Sequence, residues 1–185
     1  LMIATEPLSD AQWDAIGLAE RQTFTEQRHV VIYGQRTADG RYIMWLGHEG
    51  PPKNFTAVDV TDPKNPRVIV QTDLPHHKMR SNSLEVCGDR MYVAHQIRGT
   101  NPPDGPAGFD IWDISKPETP KKICHYDTSG PHSWGVHCVW CVDGEFVHMS
   151  SGAKDFEPNN PNDHQFYQIV DIRNPSKPVE AGRWW

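Results

Sequence analysis

Apolar residues recur along this chain in short clusters separated by turn-forming residues. Residues 55–58, 109–112 and 166–170 are clusters of this kind, rich in aromatic and β-branched side chains. Clusters of this length and composition predict β-strands. A helix is predicted only over residues 9–20, where Ser9 and Gln12 have the spacing of a capping box. The sequence therefore predicts an all-β fold with a short N-terminal helix.

One polar motif, Asp-[Val/Ile]-x-x-Pro-x-x-Pro, follows each of these clusters. It begins at Asp59, Asp113 and Asp171, and its first prolines are 54 and then 58 residues apart. Proline ends a strand because it cannot donate to the ladder, and a neighbouring Asp can bond the local backbone. The motif therefore predicts a short turn between two strands, repeated three times.

A second set of turns is marked by Asp39-Gly40, Gly88-Asp89 and Asp143-Gly144. Asp-Gly is a strong hairpin signal. Each repeat then reads strand A, tight turn, strand B, longer loop, strand C, Pro-x-x-Pro turn, strand D. Such a unit must stack on neighbours to bury both faces, which predicts a β-propeller of four-stranded blades. We expect repeats over about 28–80, 81–133 and 134–185, after an N-terminal extension over 1–27.

Residues 167–178 show the core of this repeat most clearly, in the order Tyr-Gln-Ile-Val-Asp-Ile-Arg-Asn-Pro-Ser-Lys-Pro. They resemble the LVIVD-repeat family of β-propellers, and the resemblance covers about residues 28–185. It implies the fold and no catalytic residues, because that family is functionally heterogeneous. A more distant resemblance is to the selenium-binding-protein group, some of which are metal-dependent oxidases, but no motif here carries over their ligands.

Three repeats are fewer than the four to eight blades of a complete propeller. A partial propeller leaves strand edges exposed, and such edges are normally covered. We therefore expect the remaining blades on another chain or a missing segment. The alternative is that two copies of this chain close one ring.

Composition excludes some partners and highlights histidine. The net charge is −6 with no Lys/Arg run, so nucleic-acid binding is not expected. No stretch of 18 apolar residues is present to cross a membrane. No signal peptide is visible in a chain that opens at Leu1, so the compartment stays open. Ten histidines are an excess, and imidazole is both a metal ligand and a proton carrier at neutral pH.

The long loops of all repeats fall on one face of the predicted propeller, formed by the B–C and D–A connections. We call it the loop face. Binding groups usually sit on loops held by a rigid scaffold. Most histidines map to this face or its edge, namely His48, His76, His77, His95, His132, His137 and His164.

Aligning the hairpins places Asn82 opposite His137 at the start of strand A, beside the central channel. In the D–A loops His77 then matches His132, or His76 does if Pro75 and Pro131 are aligned. Several imidazoles with an open position suit Cu, Fe or Zn. The predicted metal ligands are His77, His132 and His137. The predicted catalytic residues are His77, Arg80 and His137, and the predicted substrate contacts are Asn82, His95 and Trp134. The alternative is that these histidines cap loops and bond the backbone.

Two functions remain open from the sequence. One is an enzyme that uses the loop face, with a metal ion or a His acid–base pair in the central funnel. The other is a scaffold whose loops bind a protein or ligand without chemistry. The Cys138-x-x-Cys141 pair lies on a predicted strand, where positions i and i+3 face opposite sides. A redox or zinc role for this pair is therefore not favoured.

Overall fold

A computed structural model of the chain describes residues 9–15, 24–26, 32–99, 103–141, 143–160 and 162–185. These residues form one short helix and three antiparallel sheets, which confirms the all-β prediction. The described part of the predicted helix is α1 (Asp10–Ala15), and residues 16–23 lie outside the described residues. The capping box is formed, since the Ser9 backbone N–H donates to Gln12 Oε1 at 2.8 Å.

In the first and third sheets consecutive strands pair side by side. The first sheet has the order β1 (Phe24–Glu26), β2 (Ile32–Arg36), β3 (Tyr42–Gly47), β4 (Lys53–Asp59) and β5 (Arg67–Asp73). The second contains β6 (Met79–Arg80), β7 (Leu84–Cys87), β8 (Arg90–Ile97), β9 (Gly108–Asp113) and β10 (Lys121–Asp127). In this second sheet β6 and β7 both pair with β8. The third contains β11 (Val136–Cys141), β12 (Phe146–Ser151), β13 (Phe166–Asp171) and β14 (Val179–Trp184). The predicted A–B–C–D order holds in all three.

The repeated motif forms the turn between the last two strands of each sheet, as predicted. Its aspartate ends the next-to-last strand of each sheet, and the carboxylate accepts a hydrogen bond from the backbone N–H two residues later. The distances are 3.0 Å from Thr61 N to Asp59 Oδ1, 2.9 Å from Ser115 N to Asp113 Oδ1 and 3.0 Å from Arg173 N to Asp171 Oδ1. One local interaction therefore accounts for the aspartate in all three copies.

The second sheet is covered on both faces by its neighbours. Leu84, Val86 and Met91 pack against the first sheet in a cluster with Trp45 and Phe55. On the other face, a second cluster contains Tyr92, Phe109 and Ile111 of this sheet with buried residues of the third, among them Val139 and Val147. Three stacked sheets fit a partial propeller, and their arrangement as blades around one axis stays a prediction. No helix in the described ranges is long and apolar enough to cross a membrane.

Candidate functional site

The candidate site lies where the pairing of the second sheet with β8 is interrupted between β6 and β7. Met79 and Arg80 pair with Ile97 and Gln96 of β8, and regular pairing resumes only at Leu84. On the other side, Gly135 has a φ of 82°, and a Cβ there would lie 2.5 Å from the His95 carbonyl oxygen. Only glycine fits so close an approach. It lets Trp134 and the start of β11 reach the end of β8, where Ile97 N donates to Trp134 O at 2.9 Å.

The side chain of Gln96 joins the groups that meet there. Its Oε1 accepts a hydrogen bond from Arg80 Nε at 3.0 Å and lies 3.1 Å from His137 Nδ1. Arg80 Nη1 also pairs with Glu49 Oε2 at 2.9 Å. Asn82 Nδ2 lies 3.0 Å from the same His137 Nδ1 and donates to the His137 carbonyl oxygen at 2.8 Å. Five side chains thus form one hydrogen-bonded network.

His137 is held so that either neutral form of its ring has a partner. With the proton on Nδ1, the ring donates to Gln96 Oε1, and without it Nδ1 accepts from Asn82 Nδ2. Partial burial, with the positive charge of Arg80, lowers the pKa of His137 below its usual value. The imidazole is therefore neutral at pH 7 and can hold a proton on either nitrogen.

A shallow cleft of about 290 Å³ opens beside this network. Its walls include Arg80, Gln96 and Arg98, together with the rings of Trp134 and His164, whose centroids are 5.4 Å apart. Arg98 is exposed, and no carboxylate within the described ranges pairs with its guanidinium. The cleft thus carries two guanidinium groups and an aromatic pair.

The structure brings together some of the predicted site residues. Arg80, Asn82 and His137 meet through Gln96, and Trp134 lines the adjoining cleft. Gln96, Arg98 and His164 were not among the predicted site residues. The sequence pattern that could have indicated them is their position at the ends of the predicted B–C loops.

The other predicted site residues lie elsewhere. His77 stacks on His76 with ring centroids 4.6 Å apart, and His132 Nε2 lies 3.8 Å from Glu157 Oε1. His77, His132 and His137 do not form a group of ligand atoms among the described residues. The metal site predicted for those three residues stays a prediction.

His95, predicted as a substrate contact, is fully buried and belongs to a second cluster with Asp110 and His125. The Asp110 carboxylate oxygen Oδ1 lies 2.7 Å from His125 Nδ1 and 4.0 Å from His95 Nδ1. Lys122 Nζ lies 3.3 Å from the same carboxylate. The ligand atoms lie within 4.8 Å of one another, so this cluster could hold a metal ion.

The cluster combines a neutral imidazole with an ionised carboxylate. Burial lowers the pKa of His95 to about 4. Burial acts to raise the pKa of Asp110, but the hydrogen bond from His125 and the nearby positive charge of Lys122 outweigh it, and the pKa is lowered. Both groups are therefore in the protonation state in which they ligate metals.

Comparison with known protein families identifies one segment. The model of the LVIVD repeat matches residues 166–184, which are β13, the third Pro-x-x-Pro turn and β14. No curated protein matches the chain. The more distant resemblance to the selenium-binding-protein group stays a prediction. The resemblance to the LVIVD-repeat family is confirmed for the third sheet, where residues 166–184 match the model of that repeat.

Proposed function

We propose that this chain is part of a β-propeller enzyme whose loop face binds a small anionic molecule in the cleft beside Gln96, with His137 as its acid–base group. One observation carries the proposal. The Gln96 side chain contacts both Arg80, which lines the cleft, and His137, which can hold a proton on either ring nitrogen. Binding and proton transfer are thereby joined in one network.

The charge of the cleft supports an anionic ligand. Arg98 has no carboxylate partner within the described residues, so its guanidinium is available to a carboxylate or phosphate. Arg80 presents a second guanidinium, already oriented by Gln96 and Glu49. Charge-assisted bonds from guanidinium to carboxylate or phosphate are about twice as strong as neutral ones. Trp134 and His164 offer ring faces on which a planar ligand can stack.

The state of His137 supports acid–base chemistry. A general base needs to be unprotonated at the working pH and to have a pKa not far below it. Partial burial and Arg80 lower the pKa of His137, which meets the first condition. Asn82 and Arg80 fit as positioning residues, since each contacts the network that holds the ring.

A non-catalytic scaffold is the second candidate, and the residue types of the cleft favour it. Trp and Arg are the commonest hot-spot residues of binding surfaces, and Trp134, Arg80 and Arg98 lie together here. In that case the cleft binds its ligand without chemistry. The two candidates share a ligand site and differ in the role of His137.

Calorimetric titration of the chain with phenyl phosphate, and with phenol as the uncharged control, tests the ligand site. We expect phenyl phosphate to bind and phenol not to bind. Arg98→Ala weakens binding about tenfold, which is about 1.4 kcal/mol, while Arg67→Ala, on the opposite face, leaves it unchanged. Equal binding of phenol, or an unaffected Arg98→Ala variant, contradicts the proposal.

The titration of His137 distinguishes the enzyme from the scaffold. If His137 exchanges protons with a bound anion, phenyl phosphate raises its pKa, because a nearby negative charge stabilises the imidazolium. The histidine ring signals in NMR report this value with and without the probe. An unchanged His137 pKa in a chain that binds the probe favours the scaffold.

A further inference from the structure

We infer that His95, Asp110 and His125 form a binding site for one divalent transition-metal ion, separate from the loop-face cleft. The site lies between the first and second sheets, because His95 Nε2 contacts Asn54 Oδ1 of β4 at 3.2 Å. Gln96 follows His95 directly on β8, and successive side chains of a strand point to opposite faces. The inference therefore does not depend on the proposed function.

The sheet itself brings the three ligands together. They lie on the adjacent strands β8, β9 and β10, and Asp110 is paired with His125 in the register of β9 and β10. Their positions are fixed by backbone pairing rather than by a loop. Sites built on regular elements hold their geometry better than sites on loops.

The hydrogen bonding of His95 indicates that a cation belongs here. Asn54 Oδ1 can only accept, so the His95 proton is on Nε2 and the lone pair is on Nδ1. That Nδ1 is buried, has no hydrogen-bond partner and lies 4.0 Å from Asp110 Oδ1. Asp110 Oδ1 already accepts a hydrogen bond from His125, so the buried acceptor without a partner among the described residues is His95 Nδ1. A metal ion bound between the two groups takes up the lone pair of His95, and Asn54 then acts as the outer partner that metal-binding histidines usually have.

Lys122 fits the role of a replaceable counter-charge. Its Nζ lies 3.3 Å from the Asp110 carboxylate, and its side chain is 43% exposed. A long exposed lysine can turn into solvent at little cost. It can therefore neutralise Asp110 in the metal-free chain and leave when an ion binds.

Comparison of the first two repeats shows that the first sheet lacks this ligand set. The positions of Asp110 and His125 correspond to Thr56 and Gln71 in the first sheet, by their distance from the repeated motif. There the polar groups satisfy one another, since Gln71 Nε2 donates to Thr56 Oγ1 at 2.9 Å and His48 Nε2 lies 2.8 Å from the same oxygen. These corresponding groups of the first sheet thus have partners, whereas His95 Nδ1 in the second sheet has none among the described residues.

The ligand types indicate the class of ion. Two imidazoles and one carboxylate, with remaining positions open, suit Zn²⁺ or Fe²⁺ and do not suit Mg²⁺ or Ca²⁺, which prefer oxygen. His125 is 28% exposed, so the side of the site nearest to it is the route of entry.

Titration of the metal-free chain with Co²⁺ and Zn²⁺ tests the inference, because bound Co²⁺ gives visible absorption. We expect one equivalent to bind, with a d–d spectrum of low coordination number, and Zn²⁺ to displace it. His125→Gln, which copies the first repeat, weakens binding at least tenfold, and Lys122→Met strengthens it. His77→Ala and His132→Ala are the controls and leave binding unchanged.

Three results overturn the inference. They are no Co²⁺ spectrum at one equivalent, equal binding by wild type and His125→Gln, and loss of binding in the His77 or His132 variant alone. Circular dichroism of each metal-free variant shows whether it is folded. If His125→Gln is not folded, the Lys122→Met variant carries the test, and unchanged or weaker Co²⁺ binding there also overturns the inference.

Discussion

Glu85 shows how burial changes the protonation of a single side chain in this fold. It lies on β7 with almost no exposed surface, and its carboxylate bonds only the neighbouring Val86 N–H, at 3.2 Å, among the interactions of the described residues. Burial raises the pKa of Glu85 to about 7. The carboxyl group is therefore protonated in the folded chain over a pH range in which it is ionised in the unfolded chain.

We expect this group to make the fold less stable as the pH rises. The folded pKa of Glu85 lies above its ordinary value of 4.5, so its contribution is complete below about 4.5 and is lost as the pH rises through about 7. The difference is on the order of 2–3 kcal/mol. Urea unfolding between pH 4 and 8.5 measures it. Glu85→Gln removes most of this slope and is more stable than wild type at pH 8.5, whereas Glu145→Gln, at an exposed site, behaves as wild type. A slope that persists in Glu85→Gln contradicts the prediction.

Cys87 is the residue for which we expect unusual thiol reactivity. A hydrogen bond with Cys141, together with the charge of Arg90, lowers the pKa of Cys87 to about 7 although burial acts to raise it. The thiolate is the nucleophile, so alkylation by iodoacetamide reaches half its maximal rate near pH 7. In Cys141→Ala this midpoint moves towards 9. Mass spectrometry of each modified cysteine measures the rates, and a midpoint that does not move in Cys141→Ala contradicts the assigned cause.

The repeated turn is formed in the same way in all three sheets. The same aspartate oxygen accepts from the same backbone position in all three sheets, at 2.9–3.0 Å. The sequence predicted these turns because proline and aspartate act locally. It also predicted the opposite faces of Cys138 and Cys141, since a strand alternates and Cys141 is buried whereas Cys138 is exposed.

Removing the turn oxygen should destabilise the second sheet. Asp113 Oδ1 accepts from Ser115 N at 2.9 Å, and hydrogen bonds from the side chain and the backbone of Ser115 lower the pKa of Asp113. We expect Asp113→Ala to cost about 1–2 kcal/mol of unfolding free energy. Asp113→Asn costs less, because an amide oxygen can accept the same bond. Asp104→Ala, which removes an exposed carboxylate, is the matched control. Equal losses of unfolding free energy in Asp104→Ala and Asp113→Ala would show that the turn bond contributes nothing.

Contacts between elements set the limit of what could be predicted from the sequence. Gln96 became the centre of the candidate site because β8 continues to Ile97 and pairs with the short strand β6. His95 was expected at the loop face. Because β8 continues past it, His95 lies within the strand and is buried between sheets. Strand length and the irregular segment 81–83 depend on packing between repeats, which the local sequence pattern does not encode.

Within the described ranges, the third sheet exposes an aromatic face that the other two sheets bury. Phe55, Phe109 and Tyr167 occupy the same position before the repeated aspartate in the three sheets. Phe55 packs against Trp112 of the second sheet with centroids 5.0 Å apart, and Phe109 is buried against the third sheet. Tyr167 is 45% exposed, and Trp140 on the same face is 61% exposed. Because each repeat unit packs on its neighbours, we expect this face to pack against a further sheet.

Sedimentation velocity tests that expectation for the isolated chain. We expect association above the mass of one chain, 21.0 kDa, because exposed aromatic faces of this kind bury themselves. The double variant Trp140→Glu/Tyr167→Glu should sediment as a single chain, and Lys177→Glu, in the third turn, should sediment as wild type. A wild-type chain that is monomeric at all concentrations contradicts the expected fourth sheet.

NMR titration with phenyl phosphate tests whether the cleft beside Gln96 binds an anion. We expect saturable shifts of the Trp134 indole N–H and of the Ile97 and Gly99 amides, with little change at residues of the Pro-x-x-Pro turns. Phenol should produce no such shifts. Shifts confined to another part of the chain, or equal shifts with phenol, would contradict an anion-binding site in this cleft.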